Sequence, residues 1–220
     1  MELNQLIDIM SGGIVESLYM TVVSTVLAYL FGIPIGVVLF ITDKGGIAEN
    51  KNVNSVLGIV VNLLRSVPFI ILLVAILPFT RFVVGTTIGA TATIVPLVVA
   101  ATPFVARMVE SSLKEVDGGV IEAALSMGSN NWQIITKVLI PEAKPSLIVG
   151  STIAITTILG YSAMAGFVGG GGLGAIGINY GYYRYQEDIM LITVILLVII
   201  VQVFQETGMR IATKTDKRRR

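Results

Sequence analysis

The chain has no cysteine and no histidine among its 220 residues. The first absence excludes a disulfide framework and any thiolate metal site. The second removes the usual proton shuttle and the commonest metal ligand, and with them most hydrolase constellations. Charge is scarce as well: 13% of residues are Asp, Glu, Lys or Arg, about half the share of a soluble domain. Hydrophobic residues make up 54%. In water such a chain would wear large exposed apolar patches, so lipid is the solvent for most of its surface. Paired carboxylates, a Ser-His-Asp set and a metal cluster are all missing from the pattern. No catalytic residue and no metal site is therefore assigned. A formal net charge of +1 gives no reason to expect a nucleic-acid partner. The start, Met1-Glu2-Leu3-Asn4, lacks the basic region of a cleaved secretory signal; insertion is expected to rely on the first span.

What is present is a set of long apolar runs. A membrane helix needs roughly 20 mostly apolar residues. Five segments qualify: about Leu18–Ile41, Val56–Phe79, Thr87–Met108, Pro145–Val168 and Ile189–Met209. Backbone groups cannot stay unpaired in hydrocarbon, so these read as helices; barrel strands would alternate. No internal repeat is visible, and five spans cannot divide into two equal inverted halves, which weighs against one large class of secondary transporter. Asp and Glu are missing from the centres of all five segments, where proton-coupled transporters keep such groups. That pattern favours an external energy source. Pro34, Pro68, Pro96 and Pro103 sit within spans, as fixed bends or as hinges.

Lysine and arginine set the orientation. Lys44, Lys51 and Arg65 lie at or near the first loop, and Arg107, Lys114, Lys137 and Lys144 at or near the third. Arg210, Lys214, Lys217, Arg218, Arg219 and Arg220 follow the last span. Only Arg81 and Arg184 fall on the other side. The positive-inside rule places the C-terminus in the cytoplasm and the N-terminus outside. The basic tail reads as topogenic or lipid-facing. The loop from Glu110 to Lys144 is then cytoplasmic.

That loop is the largest polar piece. Gly118-Gly119 is expected to open it with a flexible break. Val120 to Met127 favours helix, and Gly128 suits a left-handed cap. Ser129, Asn130 or Asn131 can cap a second helix, which carries Ile134, Ile135, Val138 and Leu139 at helical spacing. Pro141 and Pro145 are expected to punctuate the return to the membrane. Periodicity alone leaves two readings open: an amphipathic loop lying on headgroups, or a stiff bracket gripped by a partner.

Glu122-Ala123-Ala124, then Gly128, then Val138-Leu139-Ile140-Pro141 resembles the EAA loop of permease subunits from ATP-binding-cassette importers. Val138 and Ile140 stand where that pattern usually has Ile and Leu; both preserve an apolar face. Arg65-Ser66-Val67-Pro68 and the following Phe69 to Leu73 look like the Arg-Ser-Ile-Pro segment of amino-acid importer permeases. Tyr161-Ser162-Ala163-Met164-Ala165-Gly166, followed by Gly169 to Gly174, resembles methionine-type permeases in particular. So do Pro78 to Arg81, Pro103 to Glu110 and Tyr180-Gly181-Tyr182. The likeness runs from about Leu18 to Arg210. Asp117 stands where proline is expected in such proteins, so the start of the bracket is expected to be looser.

The resemblance implies an all-α membrane protein of five transmembrane helices in the type I importer permease fold. Residues 1–220 would form a single permease domain, with 110–144 as its coupling loop. It implies an ATPase contact through Glu122, Ala123, Ala124, Gly128, Val138, Ile140 and Pro141. It implies a bacterial inner-membrane location, a second copy of the chain, two ATPase subunits that hold ATP and Mg, and an external lipid-anchored binding protein that delivers methionine. The chain itself would bind no cofactor and hydrolyse nothing. Permeases for osmoprotectants or other small amino acids share the EAA pattern and stay open as alternatives, as does a transporter that needs no ATPase.

Other residues keep two readings. Gly150, Ser151, Thr152, Ala154, Thr156, Thr157, Gly160, Ser162 and Ala163 make the fourth span rich in small and hydroxyl side chains, for helix packing or for a pathway lining. Tyr161, Ser162 and Met164 are the candidates for the substrate route; a thioether substrate would suit a polarizable neighbour such as Met164. Arg65 is expected to anchor the inner boundary, with lipid phosphate or a loop carboxylate as partner. Gly169 to Gly174 is no phosphate loop, because no Gly-Lys-Ser or Gly-Lys-Thr ending follows. A tight re-entrant or close-packed turn is expected there.

Overall fold

A computed structural model describes residues 3–216. Met1, Glu2 and the basic residues Lys217, Arg218, Arg219 and Arg220 lie outside the described residues, and so does the expectation attached to that tail. Every regular element among the described residues is helical. In chain order they are α1 (Leu3–Thr42), α2 (Lys51–Ser66), α3 (Phe69–Ala75), α4 (Leu77–Val84), α5 (Ala90–Lys114), α6 (Gly118–Ser126) and α7 (Asn131–Ile134). A π-helical turn (Ile135–Leu139) leads into α8 (Ile140–Met164), and a 3₁₀ turn (Ala165–Val168) follows. Then come α9 (Gly172–Ile176), a second π turn (Gly177–Tyr182) and α10 (Glu187–Thr215).

Among the described residues, four helical stretches are long and apolar enough to cross a membrane: Asn4–Thr42, Ala90–Lys114, Asn131–Tyr182 and Glu187–Thr215. The second expected span is not one straight helix. α2 and α3 pass the same test together but meet at a bend of 100°. Pro68 is the reason: it lacks an N–H, and its ring pushes Val67 out of the helical region. Pro68 keeps an extended ψ of 134° and then caps α3. α4 is a separate short helix with Pro78 in its first turn, ended by Gly85 at φ 83°.

Two other helix limits differ from the sequence expectation. α1 begins at Leu3, well before Leu18. Ser11-Gly12-Gly13 does not stop it, since each interior glycine costs only about 1 kcal/mol. Gly13 is there for packing: a Cβ would collide with Ile176. Nor do Pro141 and Pro145 end the helix that leaves the bracket; α8 runs straight through them. Pro141 would clash with the carbonyl four residues back. That carbonyl belongs to Lys137, inside the wider π turn Ile135–Leu139, which accommodates the ring without a break.

The chain divides into two compact units. One comprises the start of the chain to Ala28, Val67–Ala101 and Ala154–Gln205; the other comprises Tyr29–Ser66, Thr102–Ile153 and the chain from Glu206 on. In the first, Met10, Leu173, Ile176 and Ile189 form a buried apolar cluster, with Leu6, Ile14, Ile192 and Leu196 packed on it. In the second, Gly32 and Gly36 of α1 let α5 approach closely. A Cβ on Gly32 would lie 2.6 Å from Val105, and one on Gly36 would lie 2.5 Å from the Ala106 carbonyl oxygen. This is small-residue helix packing of the membrane kind. α10 keeps Leu191, Val194, Val198, Ile199 and Val203 exposed.

Candidate functional site

The loop 110–144 folds into the expected bracket, and its joints are local hydrogen-bond devices. Asp117 caps α6, its carboxylate accepting from the Gly119 N–H at 2.7 Å. Gly118 and Gly119 are thus the first helical residues and not a flexible break. The Asp117 cap also makes the start of the bracket tight, contrary to the expectation drawn from the missing proline. α6 ends in a Schellman motif. The Ser129 N–H donates to Ala124 O at 3.1 Å, the Gly128 N–H donates to Leu125 O at 2.9 Å, and Gly128 takes φ 77°. Asn130, of the three capping candidates, starts α7. Its side chain accepts from Gln133 N at 2.9 Å and Gln133 returns the bond at 3.0 Å, a reciprocal capping box.

The bracket has an inner and an outer face. Ala124, Ile134 and Leu139 are buried; Val138 and Ile140 are half-buried. Glu122, Ala123, Gly128 and Pro141 are exposed. So are two large side chains that the sequence reading passed over: Met127 is 79% and Trp132 72% exposed. Trp132 is the chain's one tryptophan. A large apolar side chain within the polar stretch Asn130-Asn131-Trp132-Gln133 was the available signal. The outer face thus offers a carboxylate, an aromatic and a thioether on a stiff frame. Beside the base of the bracket, Ser112, Glu115, Glu142, Ser146, Met209 and Asp216 line a cavity of about 420 Å³. Among the described residues no acidic cluster could hold a metal ion.

In the same unit a chain of alternating charges joins α1, α2 and α5. Glu110 is buried and takes two cations: Arg107 Nη1 at 2.6 Å and Lys114 Nζ at 2.9 Å. Lys114 continues to Asp43 at 2.9 Å. Arg107 Nη2 donates to Gly58 O at 3.2 Å and to Asn62 Oδ1 at 2.9 Å. Asp43, just past α1, is held below the usual carboxylate range by its hydrogen bond from Lys114 and by the Lys44 N–H. Lys114 and Arg107 had been read only as topogenic charges. Arg65 stands exposed in the last turn of α2, where a cation suits the helix C-terminus.

The candidates for the substrate route lie in the other unit. Tyr161 stacks on Phe69 with ring centroids 4.5 Å apart and planes within 4°. Phe69 opens α3, so this stack pins the chain directly after the Pro68 break. Met164 is 48% exposed at the end of α8. Ser162 is buried, and its hydroxyl donates to Leu159 O of its own helix at 2.8 Å. In the single chain it is satisfied by its own helix, as packing serines are.

Gly169 to Gly174 makes the close-packed turn expected. The Gly89 N–H donates to Gly169 O at 2.8 Å. A Cβ on Gly166 would lie 2.6 Å from the Ala175 N, and one on Gly174 would collide with the Ala163 backbone. The turn is held from α1: Glu16 Oε2 accepts from Gly172 N at 2.6 Å and Ser17 Oγ accepts from Leu173 N at 2.8 Å. Glu16 lies before Leu18, where the first span was expected to start, but inside helix α1.

Residues 28–210 match the family of binding-protein-dependent transport system inner membrane components. A probable D-methionine transport system permease protein of Vibrio cholerae is 50% identical over 203 residues, covering 92% of this chain and 90% of that protein. The corresponding protein of Pasteurella multocida is 51% identical, covering 92% of this chain and 94% of its own. In solved structures, a chain of the MetNI methionine ABC transporter in inward-facing conformations superposes with a TM-score of 0.96 at 46% identity. That match covers 99% of this chain and 100% of the other. With its apolar helices, its helical bracket and this match over most of its length, the chain belongs to the inner membrane components of binding-protein-dependent transport systems and has the type I permease fold.

Proposed function

We propose that the chain is the permease subunit of an ATP-driven importer and forms half of the route by which methionine crosses the bacterial inner membrane. The observation that carries this reading is the bracket. Its caps, the Schellman turn and the buried Ile134 and Leu139 make it stiff, while Glu122, Met127 and Trp132 stand outward. A stiff element with an exposed anchor is what a closing ATPase can push without losing the stroke to bending. The relatives named for D-methionine transport support the substrate.

In this reading Glu122, Ala123, Gly128 and Pro141 form the coupling surface on cytoplasmic residues 110–144, with Met127 and Trp132 as its anchors and with Ala124, Val138 and Ile140 packed beneath as its support. The N-terminus is outside and the C-terminus in the cytoplasm. Five spans result when the bent α2–α3 pair counts as one. A second copy completes the pathway, because one chain of this size has too few helices to enclose a polar route. Tyr161 and Met164 face that route. Two ATPase subunits bind ATP and Mg and do the hydrolysis; an external lipid-anchored protein delivers the substrate.

The test is reconstitution with the cognate ATPase and binding protein in vesicles. Labelled methionine should accumulate only with ATP, and the purified chain alone should hydrolyse none. Uptake driven by an ion gradient without the ATPase would overturn the reading. Uptake of an osmoprotectant in place of methionine would keep the machine and change its cargo.

A further inference from the structure

The charge chain Asp43–Lys114–Glu110–Arg107 is costly to maintain at a membrane boundary. Glu110 is 6% exposed, and a carboxylate so buried needs well-placed cations. It has two, on both sides, each on its own helix one turn away. Each cation then makes a second bond to a different element: Lys114 to Asp43 beyond α1, Arg107 to Gly58 and Asn62 of α2. A Cβ at position 58 would lie 3.5 Å from Nη2, in ordinary van der Waals contact with the guanidinium. The cluster therefore ties three elements to one buried carboxylate.

Its position in the chain gives it a use. Lys114 ends α5, and three residues later Asp117 caps the first helix of the bracket. On the other side, α2 runs to the Pro68 break. We propose that Glu110, Arg107, Lys114 and Asp43 form a rigid clasp that carries displacement of the bracket from α5 into the α1–α2 loop and α2. These are positioning residues: they touch neither substrate nor nucleotide, and they set how much movement each ATPase closure delivers. Opening it would part Lys114 from Asp43 and Arg107 from Gly58 O and Asn62, while Glu110 would keep both cations on its own helix. This inference rests on the coupling role given to the bracket above.

The test uses the whole complex reconstituted with ATPase and binding protein, and reads methionine transported per ATP hydrolysed. ATP-dependent uptake by the unmodified complex establishes the underlying reading first; its absence would sink that reading and not the clasp. Asp43→Lys and Lys114→Asp are each expected to lower the ratio about tenfold while hydrolysis continues. The double variant Asp43→Lys/Lys114→Asp re-forms that link but sets a carboxylate beside Glu110, so it is expected to restore part of the ratio. A second arm avoids dependence on charge. The chain has no cysteine, so Asp43→Cys/Lys114→Cys can be bridged by a reducible bis-thiosulfonate linker. The bridged complex should transport near the unmodified ratio and fall to the single-variant level on reduction. Single variants with an unchanged ratio, or a bridged complex that hydrolyses ATP but no longer transports, would overturn the clasp.

Discussion

Replacing Gly128 gives a graded test of the bracket. The residue sits at φ 77°, and a Cβ built there meets nothing within 4 Å. Steric collision is therefore no part of the cost, and backbone conformation is all of it. For an L-residue the left-handed region costs roughly 1–2 kcal/mol, with Asn the mildest case. Gly128→Asn should then disturb the turn least and Gly128→Ala more, by a factor of about 5–30 in the local equilibrium. Gly128→Pro should be worst. It fixes φ near −65°, about 140° from the native value, and removes the N–H that donates to Leu125 O. A cost of about 3 kcal/mol or more follows. The assay is methionine uptake in vesicles with the partner ATPase, alongside membrane insertion and nucleotide hydrolysis. Uptake should fall in the order Gly, Asn, Ala, Pro while insertion stays level. Normal uptake by the proline variant, or an alanine variant as impaired as proline, would refute the argument from the turn.

Three further outcomes follow from the same geometry. Trp132→Ala should insert and fold normally, because its side chain is mostly exposed, yet should weaken capture of the ATPase in a pull-down by at least tenfold. Asp117→Ala should cost about 1 kcal/mol by removing the α6 cap; hydrogen exchange at the Gly119 amide should accelerate, and Asp117→Asn should spare it. The ion pair of Asp43 adds stability above the usual carboxylate range, and that share is lost as pH falls through the lowered folded value. The melting difference between the parent chain and Asp43→Asn should therefore be present at pH 7 and shrink as the pH falls below the usual carboxylate range. A difference that grows on acidification would contradict the pairing with Lys114.

The bracket was legible because its determinants are short-range. Gly128 and the capping choice among Ser129, Asn130 and Asn131 act on backbone groups within a few residues, so residue type and spacing announce them; Gln133, the other half of the capping box, shows only in the structure. The Pro68 irregularity was legible for the same reason. Pro141 was misleading: a proline reads as a stop, and only the π turn beneath it explains why the helix continues. The start of α1 was missed because Gly13 looks like a breaker until Ile176 is seen against it. Glu16 with Gly172, and Arg107 with Gly58 and Asn62, pair residues far apart in sequence. No local pattern encodes such meetings. Ser162 looked like a lining hydroxyl by composition, and only its rotamer shows the bond to Leu159.

The tight crossing of residues 163–166 over 174–175 is made by main chain on main chain. At Gly166 and Gly174 no side chain is present to trim and none can be added without collision, so natural variation has no small steps available at those two positions. Its surroundings hold it from outside, through Glu16 and Ser17 on one side and Gly89 on another. Variation around this turn in close kin of this chain should accordingly fall on its neighbours and leave Gly166 and Gly174 untouched.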